Sequence, residues 1–254
     1  MRFEAREDFD FANAYAGSEF AGFKLSLQGL KDDRKLDLLG ARVVEYTNTA
    51  GLRNKHLEVK NDNLFVDLQD LDMEKGDGFE LRVDLKYTGD RNIDVFSGSI
   101  GDDRIFGKGD DDVLFGDRGK DRIFGGYADD FIDGGAGEDK LSGGTGADTF
   151  VFAQHKARDT ITDFDVDEDV LMVMGPETQI GHLQMKNKKK GVLITSEAGE
   201  VQLTDVRKEN LDASNFAFDQ YPAPAGFLHS SGSVVTFSAM PNFASLPYPD
   251  DYPI

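Results

Sequence analysis

GDRNIDVFS (89–97), GSIGDDRIF (98–106), GKGDDDVLF (107–115), GDRGKDRIF (116–124), GGYADDFID (125–133), GGAGEDKLS (134–142) and GGTGADTFV (143–151) follow one another without a gap, and their common pattern decides the fold. Every unit opens on glycine: Gly89, Gly98, Gly107, Gly116, Gly125, Gly134 and Gly143. The sixth residue is always aspartate (Asp94, Asp103, Asp112, Asp121, Asp130, Asp139, Asp148), and the eighth is always apolar (Phe96, Ile105, Leu114, Ile123, Ile132, Leu141, Phe150). A disordered Gly/Asp linker has no reason to keep three chemically different demands in phase. Glycine at turn positions allows positive φ and lets carbonyl oxygens point inward, while the residues around position eight have the length of a short strand. Each unit reads as one turn plus one strand, with position eight filling the interior of a solenoid.

This pattern is similar to the nonapeptide repeat of RTX (repeats-in-toxin, hemolysin-type calcium-binding) proteins. The last two units match it nearly letter for letter; the first has Asn92 and Ile93 at positions four and five, and Asp110 and Ala128 replace the fourth-position glycine of their units. The resemblance implies an all-β fold, a right-handed parallel β-roll with two units per coil. Unit n then lies beneath unit n+2, so that Asp94, Asp112, Asp130 and Asp148 form one ladder and Asp103, Asp121 and Asp139 the other. It also implies metal ligands: these aspartates, together with backbone carbonyls at the turn glycines Gly98, Gly101, Gly107, Gly109, Gly116, Gly119, Gly125, Gly134, Gly135, Gly137, Gly143, Gly144 and Gly146. The stretch GGTGADTFVF, followed by DTITDFDVDEDVL, resembles the run-out after the repeats in serralysin-type proteases and in the calcium modules of alginate epimerases. By that similarity Asp159 donates a carboxylate to the terminal site, with Asp163 a weaker candidate.

The chemistry of the ladders selects the ion. Two carboxylates on neighbouring coils, about 4.8 Å apart, repel by roughly 3 kcal/mol at an effective dielectric near 20. A hard divalent cation between them, completed by turn carbonyls, turns that repulsion into a cross-link. Ca2+ tolerates irregular, carbonyl-rich coordination, whereas magnesium demands a small octahedron. Zinc is disfavoured because cysteine is absent and no histidine lies in the repeats. The ladders provide room for about five to six ions, each contributing on the order of 1.4 kcal/mol at millimolar calcium and a dissociation constant near 0.1 mM. Folding and calcium binding are then expected to be one event.

With 48 acidic against 28 basic residues the net charge is −20, which argues against nucleic acid and anionic membrane as partners. No run is long enough to span a bilayer, and MRFEAREDFDFANAYAG lacks the continuous apolar stretch of a secretory signal. On these grounds alone the chain would be placed in the cytoplasm. The resemblance reverses that expectation, because RTX proteins leave Gram-negative cells unfolded through type I secretion, carry an uncleaved C-terminal signal and fold outside. Calcium would take the stabilising place of the absent disulfides.

Outside the repeats, FKLSLQGL, HLEVKNDNLFVDLQDLD and FELRVDLKYTG alternate as strands, so residues 1–88 are expected to form a β-rich, sandwich-like unit with Phe79, Leu81, Val83, Leu85 and Tyr87 on one face. Residues 152–218 read as a β cap over the open end of the roll. Residues 219–254 hold six of the seven prolines and no lysine or arginine; they are read either as an export signal or as a disordered end or a strap laid across the roll. Asp163, Asp165 and Asp167 resemble the start of an EF-hand, but Glu168 and Met174 stand where glycine and the bidentate glutamate belong. Lys186, Lys188, Lys189 and Lys190 fit a solvated hairpin turn, with an acidic polysaccharide the sharper alternative. HExxH, GxSxG and GxxxxGK[ST] are missing, and the four histidines are scattered. The expectation is a non-enzymatic, calcium-binding matrix, adhesive or surface protein whose partners are the secretion machinery and an extracellular polysaccharide or cell-surface component. The alternative is a small polysaccharide-acting enzyme or effector, or a glycan-binding module, in residues 1–88, with the RTX part serving export and folding.

Overall fold

The computed structural model describes residues 2–4, 22–26, 36–44, 51–60, 63–67, 71, 78–153, 157–174, 180–196, 199–219, 227–228 and 234–235. Most of the Pro-rich end, His155 and His229, and the side chain of Phe79 lie outside the described residues. Among those described, the regular elements are strands and single 3-10 turns.

The strands preceding the repeats are β1 (Arg2–Glu4), β2 (Gly22–Ser26), β3 (Leu36–Val44), β4 (Leu57–Lys60), β5 (Asn63–Asp67) and β6 (Gly78–Thr88). The repeats supply β7 (Val95–Ser99), β8 (Arg104–Phe106), β9 (Val113–Asp117), β10 (Arg122–Tyr127), β11 (Phe131–Asp133), β12 (Lys140–Thr145) and β13 (Thr149–Phe152). After them come β14 (Arg158–Ile161), β15 (Val170–Met174), β16 (Gln184–Lys188), β17 (Gly191–Thr195), β18 (Glu200–Thr204) and β19 (Phe216–Asp219), then the short pair β20 (Phe227–Leu228) and β21 (Val234–Val235).

Successive units alternate between two sheets. In one, β8, β10 and β12 run parallel with Ile105, Ile123 and Leu141 in lateral register. In the other, β7, β9, β11 and β13 do the same with Phe96, Leu114, Ile132 and Phe150. This is the parallel β-roll that the two-unit coil requires. Position eight turns inward: Ile105, Leu114, Ile123, Ile132, Leu141 and Phe150 are buried in one continuous core. Phe96, at the first unit, is half-buried and stacks on Tyr87 with ring centroids 4.0 Å apart.

Parallel stacking does not stop with the repeats. Ile161 of β14 pairs with Leu141 and then with Leu203 of β18, while Leu171 of β15 pairs with Phe150 and then with Phe216 of β19. The sheet that holds β18 ends in the antiparallel meander β18–β17–β16, which covers what would be an open edge. Lys189 and Lys190 form the β16–β17 turn, and all four lysines of the cluster are exposed.

At the opposite end, β6 pairs in parallel with β8 through Tyr87 and Ile105, and antiparallel with β3. Leu81 of the same strand belongs to a second core with Leu38, Val43, Leu52, Leu64 and Val66, with Val83 and Leu85 packed against it. A third apolar cluster joins position seven of the odd units to the strands beyond: Val113, Phe131, Val151, Ala153 and Met174 are buried together.

Candidate metal centre

The invariant aspartates are buried, an unusual place for a carboxylate. Their burial follows from the coil geometry. The backbone N–H of Asp112 donates to Asp130 Oδ1 (2.9 Å) and that of Asp130 to Asp148 Oδ1 (2.9 Å), each pair 18 residues apart. Asp94 N donates to Asp112 Oδ1 in the same way (2.7 Å). On the other side, Asp103 N donates to Asp121 Oδ1 (2.7 Å) and Asp121 N to Asp139 Oδ1 (2.8 Å). Two ladders run up the roll, each rung an amide reaching the carboxylate one coil on.

Both ladders extend past the repeats. Asp139 N donates to Asp159 Oδ1 (3.0 Å), which places the run-out aspartate on the even ladder. Asp148 N donates to Asp169 Oδ1 (2.9 Å), a residue that the glycine-based pattern passes over. Its signal was present: Asp169-Val170-Leu171 repeats the aspartate, spacer and inward apolar residue of Asp148-Thr149-Phe150. Asp163 stands elsewhere, accepting from Gly143 N (3.1 Å) and Ser142 Oγ (2.6 Å) at the turn of the last unit. Asp165 accepts from Asp167 N, a local turn.

The second carboxylate oxygens face the position-one glycines. A Cβ built on Gly98 would lie 2.5 Å from both Asp103 Oδ2 and the Gly116 carbonyl oxygen. Gly107, Gly116 and Gly125 each meet the same combination: Oδ2 of their own unit's aspartate and the carbonyl oxygen of the position-one glycine one coil on. Gly134 and Gly143 meet Asp139 and Asp148 Oδ2 alike. The Oδ2 atoms of Asp121, Asp130, Asp139 and Asp148 are buried and accept no hydrogen bond among the described residues. Of the other turn glycines, Gly101, Gly119, Gly135, Gly137, Gly144 and Gly146 rest directly on carbonyl oxygens of the preceding coil, whereas Gly109 meets only the Tyr127 side chain, at 3.7 Å. Asp110 and Ala128, which replace glycine at position four, adopt φ of 72° and 74°.

Burial pushes these carboxyls far above their ordinary range: Asp121 and Asp130 to about 8, Asp139 to about 9, Asp148 and Asp159 to about 7, and Asp103 and Asp169 to about 6. Desolvation is the leading cause; donated backbone N–H groups oppose it and neighbouring carboxylates add to it. The repulsion between stacked carboxylates is therefore relieved in one of two ways, by a proton on the acid or by a cation among the oxygens.

The donor set fits the second way. It consists of hard oxygens, with unpartnered Oδ2 atoms beside carbonyls in a cradle that any Cβ would fill. No three acidic or histidine side chains converge on one point among the described residues, so an ion here must draw on backbone carbonyls as well as carboxylates.

Comparison with known proteins agrees with this chemistry. The family model for the RTX calcium-binding nonapeptide repeat (4 copies) matches residues 88–123 and 116–150. Two solution structures from the Azotobacter vinelandii mannuronan C5-epimerase are similar. The AlgE6R2 subunit is 30% identical over 52% of this chain and 94% of its own, with a TM-score of 0.36. The AlgE6R3 subunit is 27% identical over 66% of this chain and 94% of its own, with a TM-score of 0.28. No curated protein matches the chain.

Proposed function

Because the chain belongs, through residues 88–150, to the RTX calcium-binding nonapeptide-repeat family, we propose that it is a secreted structural protein whose roll is consolidated by calcium outside the cell. The observation that carries this reading is the set of buried Oδ2 atoms on Asp121, Asp130, Asp139 and Asp148, which no hydrogen bond among the described residues compensates. Leaving a buried carboxylate oxygen unpaired is costly, and a cation is the partner that its surroundings supply for.

The ligands we assign are the ladder aspartates, from Asp94 and Asp103 up to Asp148 and Asp159 with Asp169 added, and the carbonyls of the turn glycines. Bound calcium supplies charge neutralisation and cross-links successive coils; the chain supplies the oxygens and, through its inward Ile, Leu and Phe, the scaffold that spaces them. The low-calcium cytoplasm would leave the segment unfolded and competent for type I export, with residues 219–254 as the signal. A matrix, adhesive or surface role follows from a chain whose distinguishing feature is a stiffened roll, and the partner would be an extracellular polysaccharide or cell-surface component.

Calcium titration by calorimetry, with circular dichroism on the same samples, tests the reading. About five to six ions should bind as β signal appears, and chelator should reverse both. A chain with the same spectrum and melting temperature in chelator and in calcium would overturn it. Deleting residues 219–254 should abolish release from a type I-competent host.

A further inference from the structure

The ladder aspartates differ in what their second oxygen does. In three of them Oδ2 accepts a hydrogen bond from the backbone N–H four residues earlier: Asp90 N donates to Asp94 (3.0 Å), Ser99 N to Asp103 (2.5 Å) and Asp165 N to Asp169 (2.8 Å). These three stand at ladder ends, Asp94 and Asp103 in the first two units and Asp169 beyond the last. In Asp121, Asp130, Asp139 and Asp148, which lie between the ends, Oδ2 is buried and accepts no hydrogen bond among the described residues. For Asp159, at the far end of the even ladder, the residue four back is His155, outside the described residues.

The backbone at position two separates the two groups. Four residues before the open oxygens, Asp117, Gly126, Gly135 and Gly144 take φ of 74°, 135°, 79° and 114°. Asp90, Ser99 and Asp165 lie outside that left-handed region, and each is held by its own side chain. Asp90 Oδ1 accepts from Asn92 N (2.9 Å), Ser99 Oγ from Gly101 N (3.1 Å) and Asp165 Oδ1 from Asp167 N (2.9 Å). Ser99 Oγ also donates to the Val83 carbonyl oxygen. A side-chain oxygen that takes the amide two residues on is an ordinary habit of Asp and Ser. Here it goes with an ordinary φ, and the residue's own N–H is left aimed at the carboxylate. With a left-handed φ the N–H turns elsewhere: Gly135 N donates to Asp133 Oδ1 (2.9 Å). Conformation rather than residue type decides, since Asp117 is left-handed and Gly119 N, two residues on, donates to the Ala136 carbonyl oxygen of the next coil (2.9 Å).

We propose that position two gates each ladder carboxylate toward calcium: left-handed units hold open sites that fill first, and the amide-capped Asp94, Asp103 and Asp169 engage the ion last and most weakly. This order rests on the calcium reading above and ranks the ligands assigned there. An N–H on Oδ2 satisfies the oxygen that a cation would otherwise claim, so the ion must displace it and undo the turn beneath. A hydrogen bond to a charged acceptor makes that a penalty of about tenfold or more in affinity. The open oxygens of Asp121, Asp130, Asp139 and Asp148 carry no such penalty. Consolidation therefore begins in the middle of the roll and spreads to its ends, where the amide caps keep buried carboxylates partnered while ions are scarce.

The test is equilibrium dialysis of the full chain against buffered calcium, read as bound ions per chain, with circular dichroism on every sample to confirm folding. The wild type should show a tight class of sites and a second class about tenfold or more weaker. Asp94→Asn, Asp103→Asn and Asp169→Asn should each leave the tight class intact and reduce the weak one, whereas Asp121→Asn and Asp130→Asn should remove ions from the tight class. Ser99→Gly removes the turn oxygen and admits a left-handed φ at no steric cost, so it should move its site from the weak class to the tight one. Ser99→Ala, which loses the oxygen but keeps a Cβ, should fall between. A single uniform class, a loss of tight sites in Asp103→Asn equal to that in Asp121→Asn, or a folded Ser99→Gly with an unchanged weak class would each overturn the gate. Where a variant fails to fold, amide NMR of the wild type during the titration decides: the resonances of Asp90, Ser99 and Asp165 should move only with the later ions, and movement with the first would refute the order. A wild type that binds no calcium at any concentration would overturn the calcium reading itself, and the gate with it.

Discussion

A methyl group on Gly137 would overlap the carbonyl oxygen of Gly119 in the coil below, and both atoms belong to backbone that the ladders hold in place. Gly137→Ala should therefore cost about 3 kcal/mol, the upper end of ordinary overpacking. Gly109→Ala is the internal control. Its added Cβ meets only Tyr127, a side chain that is largely exposed, and its φ lies outside the left-handed region. That change should be neutral or stabilising by up to about 1 kcal/mol, through the lower entropy of the unfolded chain. Urea titration of both variants at one fixed calcium concentration reads the contrast; equal midpoints would mean that glycine at these turns is not a matter of close approach. Ala128 poses the reverse case. At φ 74° it carries left-handed strain, and Ala128→Gly should stabilise the chain by up to about 1 kcal/mol and move the midpoint to higher urea.

At the level of the ladder, protons and calcium compete for the same oxygens. Asp121, Asp130, Asp139 and Asp148 are raised in the folded chain to between about 7 and about 9, above the unfolded value near 4. A raised folded value means that the native state binds more protons than the unfolded one. The stability from this source is fully present below about pH 4, and is lost as pH climbs through 7 to 9. In chelator the roll should show a melting transition at pH 5, where protons occupy the ladder, and lose it at pH 9. In excess calcium the roll should melt at a higher temperature at pH 9 than at pH 5, because the ion must displace the protons and does so more easily as pH rises. Melting curves at the two pH values, with and without calcium, check both signs; a calcium-induced release of protons near pH 7 in weak buffer is the companion measurement. How far such a ladder can be read in advance depends on phase. Position eight was legible as core because glycine, aspartate and apolar residue recur every nine residues, and Asp159 through a known run-out. Asp169 was not, because beyond Asp148 the spacing stretches from 18 to 21 residues and the turn glycines vanish, although the side chain still joins the ladder. Nor does any sequence pattern report that Oδ1 is taken by an amide while Oδ2 is left for another partner.

In the whole molecule, the strand that leads into the roll is shared between two cores. Leu81 packs with Leu38, Leu52, Leu64 and Val66, whereas Tyr87, six residues on along β6, belongs to the roll interior with Ile105 and Phe150. Only the roll interior is threaded by aspartate ladders, so only it should depend on calcium. Its interior runs without a break from Tyr87 through the repeats to Leu171, Leu203 and Phe216, which ties the strands beyond the repeats to the same fate. Hydrogen exchange resolves the difference by position. On chelation near pH 8, amides of β8 to β13 should lose protection together with those of β14, β15, β18 and β19, because parallel pairing binds them into one cooperative stack. Amides of β5 and of the first half of β6 should keep most of theirs. Loss confined to the repeats would show that the strands after Val151 stand without the ladder beneath them. Simultaneous loss in β5 would show that β6 transmits the collapse, making one folding unit of the two cores.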